Sequence, residues 1–178
     1  MAEVYVAAGS NVEPEIYLCR ALQVLEEVFG PLVVSPAYRN PAAGFEGADF
    51  INLVVGFRTE RPVEEVRREL QRIESDCDRP RDAPKWAPRT MDLDILLYGD
   101  RVTQPRAGEE PALVLPRPDL VRRAYMLKPL ADIAPDLRHP LLRSSMRELW
   151  EAFDRDAHPL TAVTIPRCDR RPPPESAP

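Results

Sequence analysis

The sequence has no apolar run of about eighteen residues, the length that a membrane-spanning helix requires. Its first residues, Met-Ala-Glu-Val-Tyr-Val, also lack the basic segment and apolar stretch of an export signal. The 3 cysteines are far apart and none lies in a C-x-x-C motif. This spacing argues against a disulfide framework or a structural zinc site and favours ordinary thiols. These absences predict a cytoplasmic protein without a membrane partner.

Positive charge is also in short supply. The net charge is −5, and of the 24 lysine and arginine residues only Lys85 and Lys128 are lysines. Such a balance argues against a broad surface for nucleic acid or anionic lipid, and we expect no nucleic-acid partner. A local cluster of arginines can still form one basic pocket in an acidic protein.

The length and the apolar periodicity predict one domain followed by a tail. With 178 residues, of which 44% are hydrophobic, the chain can build one core. We expect a domain over 1–158 and a Pro- and Arg-rich tail over 159–178 that cannot order itself alone. Strands are predicted over 3–8, 32–38, 50–57 and 92–98, helices over 14–29 and 62–75, and short helical segments over 117–123, 126–133 and 146–155. The order β-α-β-β-α-β predicts an α+β, ferredoxin-like fold: an antiparallel sheet with two helices on one face, plus C-terminal helices.

The most informative segment, Lys-Trp-Ala-Pro-Arg-Thr-Met-Asp-Leu-Asp-Ile, ends in a strand that carries Asp92 and Asp94. Side chains alternate faces along a strand, so residues two apart point the same way, roughly 7 Å apart. The two carboxylates therefore converge on one face. The opposite, apolar face is formed by Leu93, Ile95 and Leu97. The simple alternative is a half-buried strand with a solvated acidic face.

The loop before this strand, residues 76–91, has no periodicity and contains 3 prolines. Its basic side chains are Arg79, Arg81, Lys85 and Arg89, with Trp86 among them. Structureless loops of this length are uncommon unless they bind something or move. Paired carboxylates beside guanidinium groups suit a metal-bound polyphosphate, because Mg²⁺ prefers hard oxygen ligands and guanidinium matches phosphate oxygens.

Four motifs resemble the signatures of the 6-hydroxymethyl-7,8-dihydropterin pyrophosphokinase family. They are Ala8-Gly9-Ser10-Asn11, Tyr38-Arg39-Asn40-Pro41, Asp49-Phe50-Ile51-Asn52 and Pro88-Arg89-Thr90-Met91-Asp92-Leu93-Asp94-Ile95. The resemblance spans roughly Val4 to Trp150 and implies an ATP-dependent diphosphotransferase of folate biosynthesis. Such enzymes move the β,γ-pyrophosphoryl group of MgATP onto the pterin hydroxymethyl oxygen and release AMP. Relatives of this kind commonly work as monomers, which we also expect here.

The resemblance implies that Asp92 and Asp94 hold two Mg²⁺ ions that bridge the triphosphate. It assigns Arg79 and Arg89 to catalysis with these acids. The residues that it assigns to the nucleotide are Gln71, Glu74, Arg81, Trp86, Arg89, Ile95, Arg117 and Arg123. The alternative for the loop arginines is a solvated charge run with a stray surface tryptophan, and Gln71 and Glu74 also suit an exposed helix end.

The pterin pocket follows from the same resemblance. Phe50 and Tyr125 correspond to the two aromatics that stack on the flat pterin ring, and Asn52 offers a donor and an acceptor to its aminopyrimidinone edge. The lip of the pocket is assigned to Asn40, Pro41, Ala43 and Gly44, and Trp86 closes over both substrates. The alternatives are core packing for the two aromatics and a structural amide for Asn52, although an amide among apolar residues is costly unless paired.

The chain departs from the family pattern at two places. Many relatives read Pro-His-Pro where this chain has Pro116-Arg117-Pro118. Arg117 can still reach a phosphate, but it cannot exchange a proton near neutral pH. Ala112 and Val114 lack polar groups that some relatives have near the adenosine, which predicts an altered affinity for ATP.

Two other classes of protein fit parts of the sequence. A ferredoxin-like binding module without catalysis would share the fold, although the acidic charge and the missing aromatic strand argue against RNA. A two-metal phosphodiester hydrolase would explain the paired aspartates but neither the aromatic slot nor Asn52. Formation of AMP from ATP only when the reduced pterin is present would distinguish transfer from both alternatives.

Overall fold

The computed structural model describes residues 1–42, 47–77, 91–104, 106–109 and 111–165. Its strands are β1 Ala2–Ser10, β2 Val33–Val34, β3 Ala37–Asn40, β4 Phe50–Thr59, β5 Asp92–Tyr98 and β6 Thr161–Val163. Its helices are α1 Pro14–Phe29, α2 Val63–Asp76, α3 Ala124–Ile133 and α4 Met146–Glu151, with a short 3-10 helix at Pro118–Val121. Within these residues, no helix is long and apolar enough to cross a bilayer.

All strand pairs of the sheet are antiparallel. The strand order is β5-β1-β4-β3-β6, and β2 also pairs with β4. This topology confirms the predicted α+β, ferredoxin-like fold. One predicted strand is divided in two at Ser35-Pro36, because the Ser35 hydroxyl accepts the backbone N–H of Val54 at 2.8 Å in place of a backbone carbonyl. Strand β5 forms one edge of the sheet.

The first face of the sheet is covered by α1 and α2. Helix α1 begins with Pro14 in its first turn, where no N–H partner is needed, and ends at Gly30 with a φ of 84° that favours glycine. Leu18 and Leu25 of α1, together with Val66 and Leu70 of α2, are fully or almost fully buried against the sheet. These two helices form the main core with the inward residues of β1, β4 and β5.

The second face of the sheet is covered by α3 and α4. Their side chains Leu127, Leu130 and Met146 form a separate core with Val54 of β4 and Leu96 of β5. The C-terminal helices therefore cover the face opposite to α1 and α2, so that the sheet is enclosed on both sides.

A β-bulge in β5 changes which side chains reach each face. Val6 pairs with Ile95 but its neighbour Tyr5 pairs with Leu97, so Leu96 is the extra residue. Leu93 and Ile95 lie in the first core as expected, whereas Leu96 and Leu97 both lie in the second. The expectation that Leu97 shares a face with Leu93 is wrong, because the bulge interrupts the alternation.

Two features of the chain are visible only in the folded structure. Strand β6 pairs with β3 and Val163 packs against the first core, so ordered structure continues into the range 159–178. Cys19 is disulfide-bonded, and Cys77 is a buried thiol. The expectation of ordinary thiols is thus wrong for Cys19, because pairing of cysteines distant in sequence depends on the fold rather than on spacing.

Candidate active site

The two acids of the D-x-D motif lie on the edge strand β5. Leu93 and Ile95 point into the first core, so Asp92 and Asp94 point to the opposite face, as the alternation predicts. Both aspartates are half-buried. The bulge begins only at Leu96, and the alternation across the motif is therefore intact.

A cavity of about 300 Å³ lies beside these acids, between β5, the end of α2 and the segment before the 3-10 helix. It is lined by Arg67, Leu70, Gln71, Glu74, Asp92, Leu93, Asp94, Ile95, Ala112, Leu113 and Arg117. The structure thus brings together six residues that the sequence assigned to metal or nucleotide. Arg67 was missed, although its spacing of four and seven residues from Gln71 and Glu74 places it on the same helical face.

Glu74 joins α2 to the beginning of β5. Its Oε1 accepts the backbone N–H of Leu93 at 2.7 Å. This hydrogen bond satisfies a donor of the edge strand between the two aspartates and fixes the strand relative to the helix. Glu74 therefore has a structural role in addition to lining the cavity.

Arg117 closes the other side of the cavity. Its Nη1 lies 3.1 Å from Oδ1 of Asp94, and its backbone N–H donates to the carbonyl of Leu96 at 2.9 Å. Its Nε is buried and has no hydrogen-bond partner among the described residues. Ala112 lines the same cavity and contributes no polar group, as expected.

The α3 end of the site contains Tyr125 and Arg123. Tyr125 is partly buried against the second core, and Arg123 immediately precedes α3. Burial raises the pKa of the Tyr125 hydroxyl, the Arg123 charge opposes this change, and the charges of Asp119, Asp94 and Asp92 add to it. The phenol ring therefore lies within electrostatic range of both acids. Neither Tyr125 nor Arg123 is among the residues that line the 300 Å³ cavity.

One row of paired residues crosses the sheet from Asn52 to Asp92. Gly9 of β1 pairs with Asn52 of β4 on one side and with Asp92 of β5 on the other. Paired residues point to the same face, and adjacent strands are about 4.8 Å apart, so the backbones of Asn52 and Asp92 are separated by about 10 Å. Because Gly9 has no side chain, the Asn52 amide oxygen can lie above it, and no other side chain of this row stands between the amide and the carboxylate.

The orientation of the Asn52 amide is fixed by its neighbours. Its Nδ2 donates to Oδ1 of Asn40 at 2.6 Å, and its Oδ1 lies over Gly9, where a Cβ would approach it to 2.1 Å. Asn40 in turn donates from Nδ2 to the carbonyl of Pro41 at 3.1 Å. Phe50 is half-buried and pairs with Asn40 in the sheet.

Asn52 is thus a buried polar residue whose amide hydrogen-bonds to Asn40, which agrees with the alternative of a structural amide. Six residues assigned to the site by sequence lie outside the described residues: Ala43, Gly44, Arg79, Arg81, Trp86 and Arg89.

Comparison with known proteins gives a consistent result. A family model described as 7,8-dihydro-6-hydroxymethylpterin-pyrophosphokinase (HPPK) matches residues 5–135. The 2-amino-4-hydroxy-6-hydroxymethyldihydropteridine pyrophosphokinase of Aquifex aeolicus is 35% identical over 150 residues, which cover 83% of this chain and 90% of the relative. The protein of the same name from Pseudomonas aeruginosa is 39% identical over 141 residues, which cover 77% of this chain and 83% of the relative.

Solved structures agree on the fold. The crystal structure of Plasmodium falciparum HPPK-DHPS with pterin and p-hydroxybenzoate aligns with a TM-score of 0.64 at 16% identity. The alignment covers 84% of this chain but only 42% of that longer chain. At this identity the similarity shows the fold alone.

Proposed function

The chain belongs to the 7,8-dihydro-6-hydroxymethylpterin-pyrophosphokinase family, and we propose which of its residues bind the two substrates and the metal. The chain is an ATP-dependent diphosphotransferase that transfers the pyrophosphoryl group to hydroxymethyldihydropterin in folate biosynthesis. This activity excludes the binding module and the phosphodiester hydrolase as its main function. The row Asn52–Gly9–Asp92 supports the assignment of the site, because the Asn52 amide and the Asp92 carboxylate lie on the same face of the sheet.

Asp92 and Asp94 are the proposed ligands for two Mg²⁺ ions. Their carboxylate oxygens are the hard donors that magnesium prefers, and they point to one face beside a cavity. Among the described residues, no group of three or more His, Cys, Asp or Glu side chains could hold a metal on its own. The two-carboxylate set therefore suits magnesium that enters with ATP and keeps phosphate and water oxygens as further ligands. When bound, magnesium neutralises triphosphate charge and orients the reacting phosphorus.

The nucleotide occupies the cavity between α2 and β5 in this proposal. Arg67 and Arg117 supply positive charge on two of its sides, and Gln71 and Glu74 contribute polar groups from one helical face. Arg123 adds a guanidinium immediately before α3, where its charge acts on Tyr125. The assignment is completed by five further proposed contacts with the nucleotide, from Arg79, Arg81, Trp86, Arg89 and the backbone of Ile95.

The pterin lies on the face of the sheet beside Asn52. The amide Oδ1 and Nδ2 offer an acceptor and a donor to the aminopyrimidinone edge, with Asn40 holding the orientation. Phe50 at the beginning of β4 and Tyr125 on α3 supply the two aromatic rings, and Pro41, Ala43 and Gly44 are the proposed residues of the lip. A bicyclic ring anchored at Asn52 can extend across Gly9 towards Asp92, which brings its hydroxymethyl oxygen to the metal-bound triphosphate. Positioning of this kind supplies most of the rate enhancement in phosphoryl transfer.

Replacement of the acids tests this assignment. Asp92→Asn and Asp94→Asn each keep the side-chain shape and remove the charge, so we expect AMP formation to fall by about 10²-fold or more while the fold is retained. Asp136→Asn is the matched control, because Asp136 is 88% exposed, lies after the end of α3 and pairs with Arg147. AMP release is measured with ATP, magnesium and the reduced pterin. Wild-type rates in both acid variants would contradict the proposed metal site.

The proposal extends to the location, the oligomeric state and the domain boundary of the enzyme. We place it in the cytoplasm as a monomer, with a catalytic domain over 1–158 to which strand β6 of the segment 159–178 adds its pairing with β3. The family activity on small molecules and the single two-sided sheet support this arrangement. Analytical ultracentrifugation measures the monomer directly, and a concentration-dependent dimer would contradict it.

A further inference from the structure

The most informative contact in the site is the ion pair between Arg117 and Asp94. The two groups are 3.1 Å apart, and their side chains are only 30% and 23% exposed. Solvent screens such a pair less than one on the open surface. The arginine therefore neutralises one of the two acids assigned to magnesium.

The backbone of Arg117 is held in place, while its guanidinium retains a hydrogen-bond donor that no described residue accepts. Pro116 and Pro118 flank Arg117, and its backbone N–H donates to the Leu96 carbonyl at 2.9 Å. Its Nε, however, is buried without a hydrogen-bond partner among the described residues. A buried guanidinium N–H without a partner is costly, so the pair with Asp94 leaves a donor available to a further acceptor in the cavity.

Magnesium and the guanidinium compete for the same carboxylate. Mg²⁺ binds an oxygen ligand at 2.0–2.1 Å and repels a second cation that contacts that oxygen. A triphosphate in the cavity offers the guanidinium several acceptor oxygens in exchange, in the planar geometry that arginine matches best. When magnesium and the triphosphate bind together, the guanidinium can therefore bind phosphate oxygens and leave Asp94 to the metal.

We propose that Arg117 changes partners during substrate binding: it occupies Asp94 while the cavity holds no nucleotide, and it transfers to the phosphates when MgATP enters. The enzyme thereby discriminates against magnesium without nucleotide and couples metal binding to ATP binding. This inference rests on the proposed function, because it requires Asp94 to be a metal ligand. Arg117 then acts as a determinant of the order in which metal and nucleotide bind.

Direct binding measurements test the exchange without turnover. Mn²⁺ serves as the probe and is followed by electron paramagnetic resonance, with and without α,β-methylene ATP. In Arg117→Gln, Mn²⁺ alone should bind about threefold to fivefold more tightly than in the wild type, because its competitor for Asp94 is gone. The affinity for the analogue with Mg²⁺ should fall about tenfold or more, because a charge-assisted phosphate contact is lost.

Two further variants serve as controls. Arg122→Gln makes the same change of charge at an exposed position in the same segment and should leave both affinities unchanged. Arg117→Lys keeps the charge and should retain weak binding of Mn²⁺ alone, even if the phosphate contact is impaired. If Arg117→Gln and Arg122→Gln bind Mn²⁺ alone equally well, or if Arg117→Gln binds it more weakly than the wild type, the exchange is refuted.

The same assay separates this inference from the proposed metal site. Asp94→Asn should weaken Mn²⁺ binding in the presence of the analogue. If it does so while Arg117→Gln leaves binding of Mn²⁺ alone unchanged, the metal site stands and the exchange fails. If Asp94→Asn retains full affinity for Mn²⁺, the metal assignment itself is wrong.

Discussion

Gly9 separates two polar side chains that point to the same face of the sheet. Asn52 lies on one side and Asp92 on the other, and the Asn52 oxygen occupies the space above the glycine. Any side chain at this position would displace the amide, since a Cβ would approach its Oδ1 to 2.1 Å. The glycine is therefore required by close approach and not by a turn.

Gly9→Ala is expected to damage pterin binding and to affect nucleotide binding little. The methyl group moves the Asn52 amide away from the pterin edge, and loss of its hydrogen bonds should raise the KM for pterin about tenfold or more. The KM for ATP should change less than about twofold, because the cavity beside α2 is two strands away from the amide. Steady-state AMP formation, with each substrate varied in turn, measures both constants.

A double variant separates the steric effect from loss of the amide. In Gly9→Ala with Asn52→Ala the clash is absent, so the urea midpoint should return towards that of Asn52→Ala while the KM for pterin stays high. An unchanged KM for pterin in Gly9→Ala alone would show that the amide does not contact this substrate.

At the scale of elements, the site depends on how α2 meets β5. The Glu74 carboxylate accepts the N–H of Leu93, the residue between the two aspartates, at 2.7 Å. A charge-assisted hydrogen bond thus joins a helix end to an edge strand directly beside the proposed metal ligands.

We expect Glu74→Ala to lower the free energy of unfolding by about 1–2 kcal/mol, because a partly buried N–H loses its charged acceptor. Glu74→Gln keeps an acceptor oxygen and should recover most of this loss. Gln71→Ala, one turn earlier on the same face, should stay within about 0.5 kcal/mol of the wild type. Urea denaturation measures all three variants, and equal losses in the Gln and Ala variants would refute the hydrogen bond as the stabilising contact.

At the scale of the whole molecule, one sheet is shared by two cores. Helices α1 and α2 pack on the first face and α3 and α4 on the second, so neither helical layer can bury its apolar side without the sheet. We therefore expect the described domain to unfold as a single cooperative unit.

Leu25→Ala in the first core and Leu127→Ala in the second test this cooperativity. Both leucines are almost fully buried, and each truncation should cost about 3 kcal/mol. Each variant should show one transition, with coincident midpoints by far-UV circular dichroism and tryptophan fluorescence. Leu142→Ala, at a position that is 51% exposed, should change stability by less than about 0.5 kcal/mol. Two separate transitions in either core variant would contradict a single unit.

The sequence alone determined the features that depend on local spacing. Alternation along a strand predicted that Asp92 and Asp94 share a face, and helical periodicity predicted the helices α1 and α2. The motifs also predicted the family and the topology of the sheet, because a βαββαβ order permits few arrangements. These properties follow from residues near one another in the chain.

Only the tertiary structure decided what depends on pairing between distant segments. The bulge at Leu96 comes from the register between β1 and β5 and turns Leu97 to the second face. The covering of that face by α3 and α4 and the ion pair of Arg117 with Asp94 likewise require the folded chain. Local periodicity carries no information about register or about which distant side chains meet, because both are set by packing across the whole sheet.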